Sequence, residues 1–373
     1  MNRQSSTLTM PPVQSPASGP RRLAPGRLLK IAVPVVATAA ALLIGLLIIA
    51  TTGSSVRDAM EAFWDGMAGS GFNVGASINR AISLGFVGLG FIFANRANLT
   101  NVGGEGQLAI GGMIATAVAL HGAASLPFGL AFVLPLVAGA VAGALWGGVA
   151  GWLKAWRGTN EVITTLLLTF IALPVVYWSV ESVRLLRKPM TEVSSLPESA
   201  EIAAQTQLPM LFPDDPTSPM HIGLLLFVAA VAVVWVLLKR SSLGLKLRAV
   251  GLNDSASRRA GIQTGRLVIV AMAVAGGLGG LAGAVLIQGQ NHYLTNDFSS
   301  GYGFDGLVVG LLSRGSPLGV VVGALLFGFL RSGSIAMEIS AQVPAAVVLI
   351  CQGLIVIAVA GSTWLVDKKA GRK

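Results

Sequence analysis

Charge is scarce in this chain: only 11% of its 373 residues are Asp, Glu, Lys or Arg, against roughly a quarter in a soluble domain. That composition excludes an ordinary globular enzyme. The single cysteine, Cys351, excludes an intrachain disulfide and a thiolate metal cluster, and its apolar surroundings assign it to packing. His121, His221 and His292 are scattered along the chain without the spacing of a metal site or a nucleophile–base pair, so neither a metal nor an intramembrane enzyme is expected. No Gly-Lys pair occurs, so the phosphate-cradling Gly-x-x-x-x-Gly-Lys-Ser/Thr loop is absent. Gly301-Tyr-Gly-Phe-Asp-Gly306 has the letters of a dinucleotide loop, but no strand precedes it and no βαβ unit surrounds it. No cofactor is expected on this chain.

Apolar sequence is abundant instead. Hydrophobic residues make up 53% of the chain, in stretches close to the roughly 20 residues that cross a bilayer core. They fall at 31–50, 77–95, 104–120, 128–151, 161–180, 221–238, 267–288, 302–313, 317–333 and 343–365. The expected fold is an all-α polytopic bundle of roughly nine or ten spans, with membrane lipid as its surroundings. The segment 302–313 is too short to cross alone as a regular helix and predicts a broken or re-entrant element. Among the 47 glycines, Gly276, Gly277, Gly279, Gly280 and Gly283 fit helices that pack by close backbone approach. Residues 1–30, rich in Pro, Ser and Arg, read as a disordered basic tail, 31–366 as the membrane domain and 367–373 as a short basic tail. The first apolar run starts late and is full-length, which predicts a retained helix rather than a cleaved signal.

The net charge of +10 has a topological explanation that leaves no role for nucleic acid, because the basic residues cluster in short segments between apolar runs. With both termini cytoplasmic, the outer side keeps only Arg57, Arg80, Arg184, Arg187, Lys188 and Arg331 of the 26 basic residues. Asp58, Glu61, Asp65, Glu192, Glu198, Glu201, Asp214 and Asp215 collect on that side, as the positive-inside bias requires. The Pro-rich stretch 181–220 becomes an external loop, either a connector or a docking surface. The basic stretch 239–266 becomes a cytoplasmic loop. Within it, Asn253, Asp254 or Ser255 is placed to cap a short helix through Ala256, Arg259 and Ala260, which Gly261 stops.

Polar residues beside or inside spans are costly and are read first as functional. Glu105 and Gln107, among Gly103, Gly104 and Gly106, mark a helix interruption that Asn101 shares; capping the helix at the cytoplasmic boundary is the other reading. Asn160 and Glu161 open a span directly after Lys154 and Arg157, where helix capping is the economical role. Asp305 stands near the start of the short span, with Asn291, His292, Tyr293 and Asp297 in the loop before it. A secondary transporter or channel needs the same helices, but a proton relay calls for carboxylates deep within spans, and here they gather near span ends.

Four blocks, in order, resemble permeases of the branched-chain amino acid and simple-sugar type of ABC importer, in the nucleoside and simple-sugar branch. They are Asn101-Val-Gly-Gly-Glu-Gly-Gln107, Gly158-Thr-Asn-Glu-Val-Ile-Thr-Thr165, Arg248-Ala-Val-Gly-Leu-Asn253 through Ala260-Gly-Ile262, and Gly301–Gly306 followed by Gly315-Ser-Pro-Leu-Gly319. The resemblance covers about residues 75–365. It implies a bacterial inner-membrane subunit that pairs with a second homologous permease, a cytoplasmic ATPase that binds the ATP, and an external substrate-binding lipoprotein. Nucleosides or simple sugars are the implied substrates, and their hydroxyls suit amide and carboxylate partners. The implied pathway residues are Asn101, Glu105, Gln107, Asn160, Glu161, Asn291 and Asp305. The implied ATPase-coupling residues are Gly244, Arg248, Gly251, Asn253, Ala256, Ala260 and Gly261. One departure is Gly104, where the resemblance leads to a bulkier residue.

Overall fold

The computed structural model describes residues 55–189, 196–215 and 217–344, with isolated positions between 36 and 53 and between 347 and 361. The two predicted tails, most of the spans 31–50 and 343–365, and Cys351 lie outside the described residues. The chain divides into two units, residues 1–44 with 353–373 and residues 45–352, and every element named below belongs to the second. Among the described residues no strand forms, only isolated bridges, and the fold is all-α.

The helices are α1 (Val56–Ala68), α2 (Gly71–Asn95), α3 (Gly104–Leu120), α4 (Phe128–Arg157), α5 (Glu161–Glu181), α6 (Gly223–Arg240), α7 (Ser242–Leu252), α8 (Asp254–Arg259), α9 (Thr264–Leu286), α10 (Tyr302–Leu312) and α11 (Pro317–Ser340). Six of them, α2, α4, α5, α6, α9 and α11, are long and apolar enough to cross a membrane, while α3 and α10 are apolar but shorter. The spans exceed their predicted limits in two places that matter. α2 starts at Gly71, where Ser70 accepts from the Asn73 amide, and α11 runs on to Ser340. Arg80 and Arg331, already within the predicted spans 77–95 and 317–333, therefore stand deeper inside their helices than those limits placed them.

Every residue of α2 from Ala81 to Ala94 is buried, as expected of a helix apolar on all sides. α9 packs along α4 by backbone contact. A Cβ on Gly280 would fall on the Gly139 carbonyl oxygen, and one on Gly276 would fall on that of Gly143. Without a hydrophobic drive between helices in lipid, this closeness of small residues is what holds the pair together. α1 was hidden in the sequence, because Asp58, Glu61 and Asp65 read as an outer loop. It is amphipathic and capped by Ser55, with Ala59 and Met67 buried and Trp64 60% exposed.

The described part of the 181–220 segment is strapped to the far end of α9, where the helix passes into a π turn, Ile287–Asn291. Backbone amides of Ser199, Ile202 and Leu208 donate to the carbonyls of Leu294, His292 and Gln288. The Gln288 amide donates back to the carbonyl oxygens of Thr206 at 2.6 Å and Phe132 at 3.0 Å. His221 closes the strap, fully buried, with its Nδ1 accepting from the Gly223 amide at 3.1 Å. Burial, then the neighbouring His292, pushes its pKa down to about 4.

Candidate functional site

α3 and α10 both begin in the interior of the bundle. Gly104 and Gly306 pack on Val87, which lies about 12 Å along α2 from its Asn95 end and about 24 Å from its Gly71 end at 1.5 Å per residue. From this depth α3 runs alongside α9 away from the Asn95 end, Gln107 beside Gly279 and Gly111 beside Gly280. α10 runs the opposite way, with Gly310 on Phe91. Two half-helices thus present their N-termini to one another inside the span.

Glu105, only 2% exposed, joins them. Its Oε1 accepts from the Gly301 amide at 3.1 Å and its Oε2 from the Gly303 amide at 2.6 Å. These are amides that a helix N-terminus leaves without an internal partner, and the dipole there favours a negative charge. Glycine is required at the contact, because a Cβ on Gly303 would fall on the backbone of Glu105. The departure at Gly104 has the same cause: a Cβ there would stand 2.8 Å from a Val87 methyl and 3.1 Å from the Gly303 carbonyl oxygen.

The chain reaches this point from α2 through residues 96–103, held by side chains. Asn101 and Gln107 form a reciprocal amide pair, Nδ2 to Oε1 at 2.9 Å and Nε2 to Oδ1 at 3.0 Å, and Asn101 Oδ1 also accepts from the Gly103 amide at 3.0 Å. The Val102 amide donates to Thr165 Oγ1 at 3.2 Å. Asn101, Gln107 and Thr165 are all buried. In this membrane interior such full pairing is what makes irregular backbone tolerable.

On the other side of the junction stands Arg331 of α11. Its Nη1 donates to Asp305 Oδ2 at 2.7 Å and its Nη2 to the Ser300 carbonyl at 2.5 Å, while its guanidinium lies 4.0 Å from the centre of the Tyr302 ring. Sequence reading missed Arg331 and Tyr302. Arg331 was counted only as an outer-side charge, whereas α11, capped by Ser316 and opened by Pro317, runs on to Ser340 and carries it well inside.

The remaining predicted residues separate from this cluster. Asn160 is an exposed cap whose Oδ1 accepts from the Val162 amide at 2.9 Å. Glu161 pairs with Lys154 at 2.5 Å and accepts from the Thr100 amide at 3.5 Å, so it ties α5 to α4 and to the entry of the break. Asn291 ends the π turn, and no side-chain hydrogen bond joins it to Glu105 among the described residues.

The 239–266 segment is two helices, not the one short helix that capping signals indicated. Ser241 caps α7, accepting from the Gly244 amide at 3.1 Å, and Asn253 caps α8, accepting from the Ala256 amide at 2.9 Å. Ala260 follows α8, and Gly261 takes φ +80° to leave it. Gly244 lets α7 fold tightly against the end of α6, and Gly251 lets it lie on the 96–98 turn, with a would-be Cβ 2.7 Å from the Arg96 carbonyl oxygen. Leu247 and Val250 face inward, while Arg248 is exposed with Leu245 and Leu252, 71% and 78% exposed.

Residues 73–360 match the family described as branched-chain amino acid transport system / permease component. The chain is 34% identical to a guanosine ABC transporter permease protein of Bacillus subtilis over 90% of its own length and 94% of the relative's. It is 33% identical to a glucose ABC transporter permease protein of Haloferax volcanii, over 91% and 89% of the two chains. With a nucleoside ABC transporter permease protein of Lactococcus lactis it shares 31% identity, over 83% and 85%. No solved structure matches.

Proposed function

The chain belongs to the branched-chain amino acid transport system / permease component family, and on that premise we propose that it forms half of the path by which nucleosides or simple sugars enter the cell. It is a permease subunit of an ABC importer, like the guanosine, glucose and nucleoside permeases it resembles. The observation that carries the reading is the meeting of α3 and α10 at Glu105, since opposed half-helices with polar breaks are how transporters build a mid-membrane site. Asn101, Glu105, Gln107 and Asp305 lie at that meeting, while Glu161 holds the entry of the break and Asn160 and Asn291 stand apart from it.

The assembly comprises this chain, a second homologous permease, a cytoplasmic ATPase that binds the ATP, and an external substrate-binding lipoprotein. The setting is the bacterial inner membrane, with both termini cytoplasmic. α7 and α8 are the ATPase contact: Gly244, Asn253 and Gly261 shape the helices, Gly251 seats them, and Arg248, Ala256 and Ala260 face the partner. The strap 196–221 faces outward. Proteoliposomes holding the whole assembly test this reading through uptake of radiolabelled nucleosides and sugars. ATP-driven uptake of one class is expected, and uptake driven by an ion gradient without the ATPase overturns it.

A further inference from the structure

We propose that Arg331 is a positioning residue that locks α10 to α11, so that the α10–α11 hairpin carries motion from α7 to the Glu105 junction. The inference rests on the permease reading above and adds to it the device that links the two ends.

A guanidinium inside a span is expensive unless wholly engaged. Arg331, 13% exposed at its side chain, spends its contacts on one short stretch: the Ser300 carbonyl, the Tyr302 ring and the Asp305 carboxylate. That stretch is held from the opposite side by Glu105 through the Gly301 and Gly303 amides. It also carries strain at Ser300, whose φ of 41° lies in the left-handed region that a residue with a side chain rarely enters. In the proposed lock this segment has two arrangements, the held one in the structure and a released one.

The other end of the hairpin faces α7 across a cleft. Arg314 and Gly315, in the turn between α10 and α11, line a cleft of about 270 Å³ together with Arg248, Gly251 and Leu252 of α7, Asn95 at the end of α2, and Arg96 and Asn98 just after it. A displacement of α7 that closes this cleft brings it against the hairpin turn. α10 leads from that turn to Gly301–Gly303, and the Arg331–Asp305 pair makes α11 move with it at that end.

The test is the coupling ratio, substrate taken up per ATP hydrolysed, in the reconstituted assembly. Arg331→Gln should lower that ratio about tenfold while hydrolysis persists, a loss within the usual range for coupling between sites. Arg331→Lys keeps the charge and should retain much of the ratio. A second readout needs no substrate: thiol labelling of Ser300→Cys, in a Cys351→Ala background, should depend on nucleotide with Arg331 present and lose that dependence in Arg331→Gln. Unchanged coupling and unchanged nucleotide dependence overturn the proposal, as does a parallel loss of uptake and hydrolysis that Arg331→Lys does not relieve. Absence of nucleoside or sugar uptake in the unsubstituted protein counts against the substrate reading alone, and the labelling result still decides the lock.

Discussion

The carboxylate of Glu105 lies 2.6 Å from the amide nitrogen of Gly303, although 198 positions separate them in the chain. One side chain thereby satisfies the start of a helix that belongs to a distant part of the sequence. It also fixes the point at which two half-helices face each other. A charge-assisted bond of this kind contributes roughly 1.5–3 kcal/mol, and its loss leaves buried amides without a partner.

Close backbone contact between α4 and α9 makes the fold intolerant of side chains along their seam. Gly280→Val should cost on the order of 3 kcal/mol or more, because the obstacle is the Gly139 carbonyl rather than a side chain that can turn away. Monodisperse recovery by fluorescence-detected size exclusion checks it. Gly129→Val, where an added Cβ meets nothing within 4 Å, serves as the control. Equal recovery of the two variants contradicts the packing argument.

The strap should loosen in acid. His221 has a folded pKa of about 4 against an ordinary 6.5, so between these values the opened strap binds a proton that the closed one does not. Stability of the closed strap is therefore complete above about pH 6.5 and falls as pH drops towards 4, by up to roughly 3 kcal/mol. Amide exchange of residues 196–210, corrected for intrinsic rate, should be faster at pH 5 than at pH 7. His221→Gln should remove most of the difference, and equal protection at both pH values in the unsubstituted protein contradicts it.

The proposed orientation rests on the basic residues of α7 and α8 and the acids of the strap. In a Cys351→Ala background, an impermeant thiol reagent added to intact cells should label Glu201→Cys and spare Ser255→Cys, both at exposed positions. The reverse pattern inverts the topology.

The exposed face of α7 and α8 is expected to hold the ATPase. Arg248→Glu, Leu252→Asp and Ala256→Trp should each reduce co-purification of the ATPase about tenfold or more, the scale of an interface hot spot. Membrane insertion should stay unchanged. Full ATPase retention by all three would leave these helices as solvated connectors.

Much of this was legible in the sequence because lipid makes spans obvious and capping chemistry is local. Asn253 and Gly261 announce α8 through a side-chain oxygen and a backbone freedom that need no tertiary contact. The glycines around Glu105 and the shortness of 302–313 marked the two breaks. Their meeting was not readable, because pairing Glu105 with Gly301 and Gly303 depends on the packing of Val87 against Gly104 and Gly306. α7 was missed because Leu243, Leu245 and Leu247 alternate at a spacing that does not mark a helix face. Arg331 was read only as an outer-side charge, because its partners Ser300, Tyr302 and Asp305 lie in or just before another helix, α10; beside it, Ser332 accepts from Arg80 at 2.9 Å and Gly333 packs on Phe63.

The most direct test of the account is the uptake rate of Glu105→Gln in the full assembly with ATP. The amide keeps the shape of the carboxylate but replaces one acceptor with a donor facing the α10 amides, so uptake should fall about tenfold or more. Insertion and ATPase association should remain at the unsubstituted level. Uptake at the unsubstituted rate would show that the junction of α3 and α10 at Glu105 is not part of the transport path.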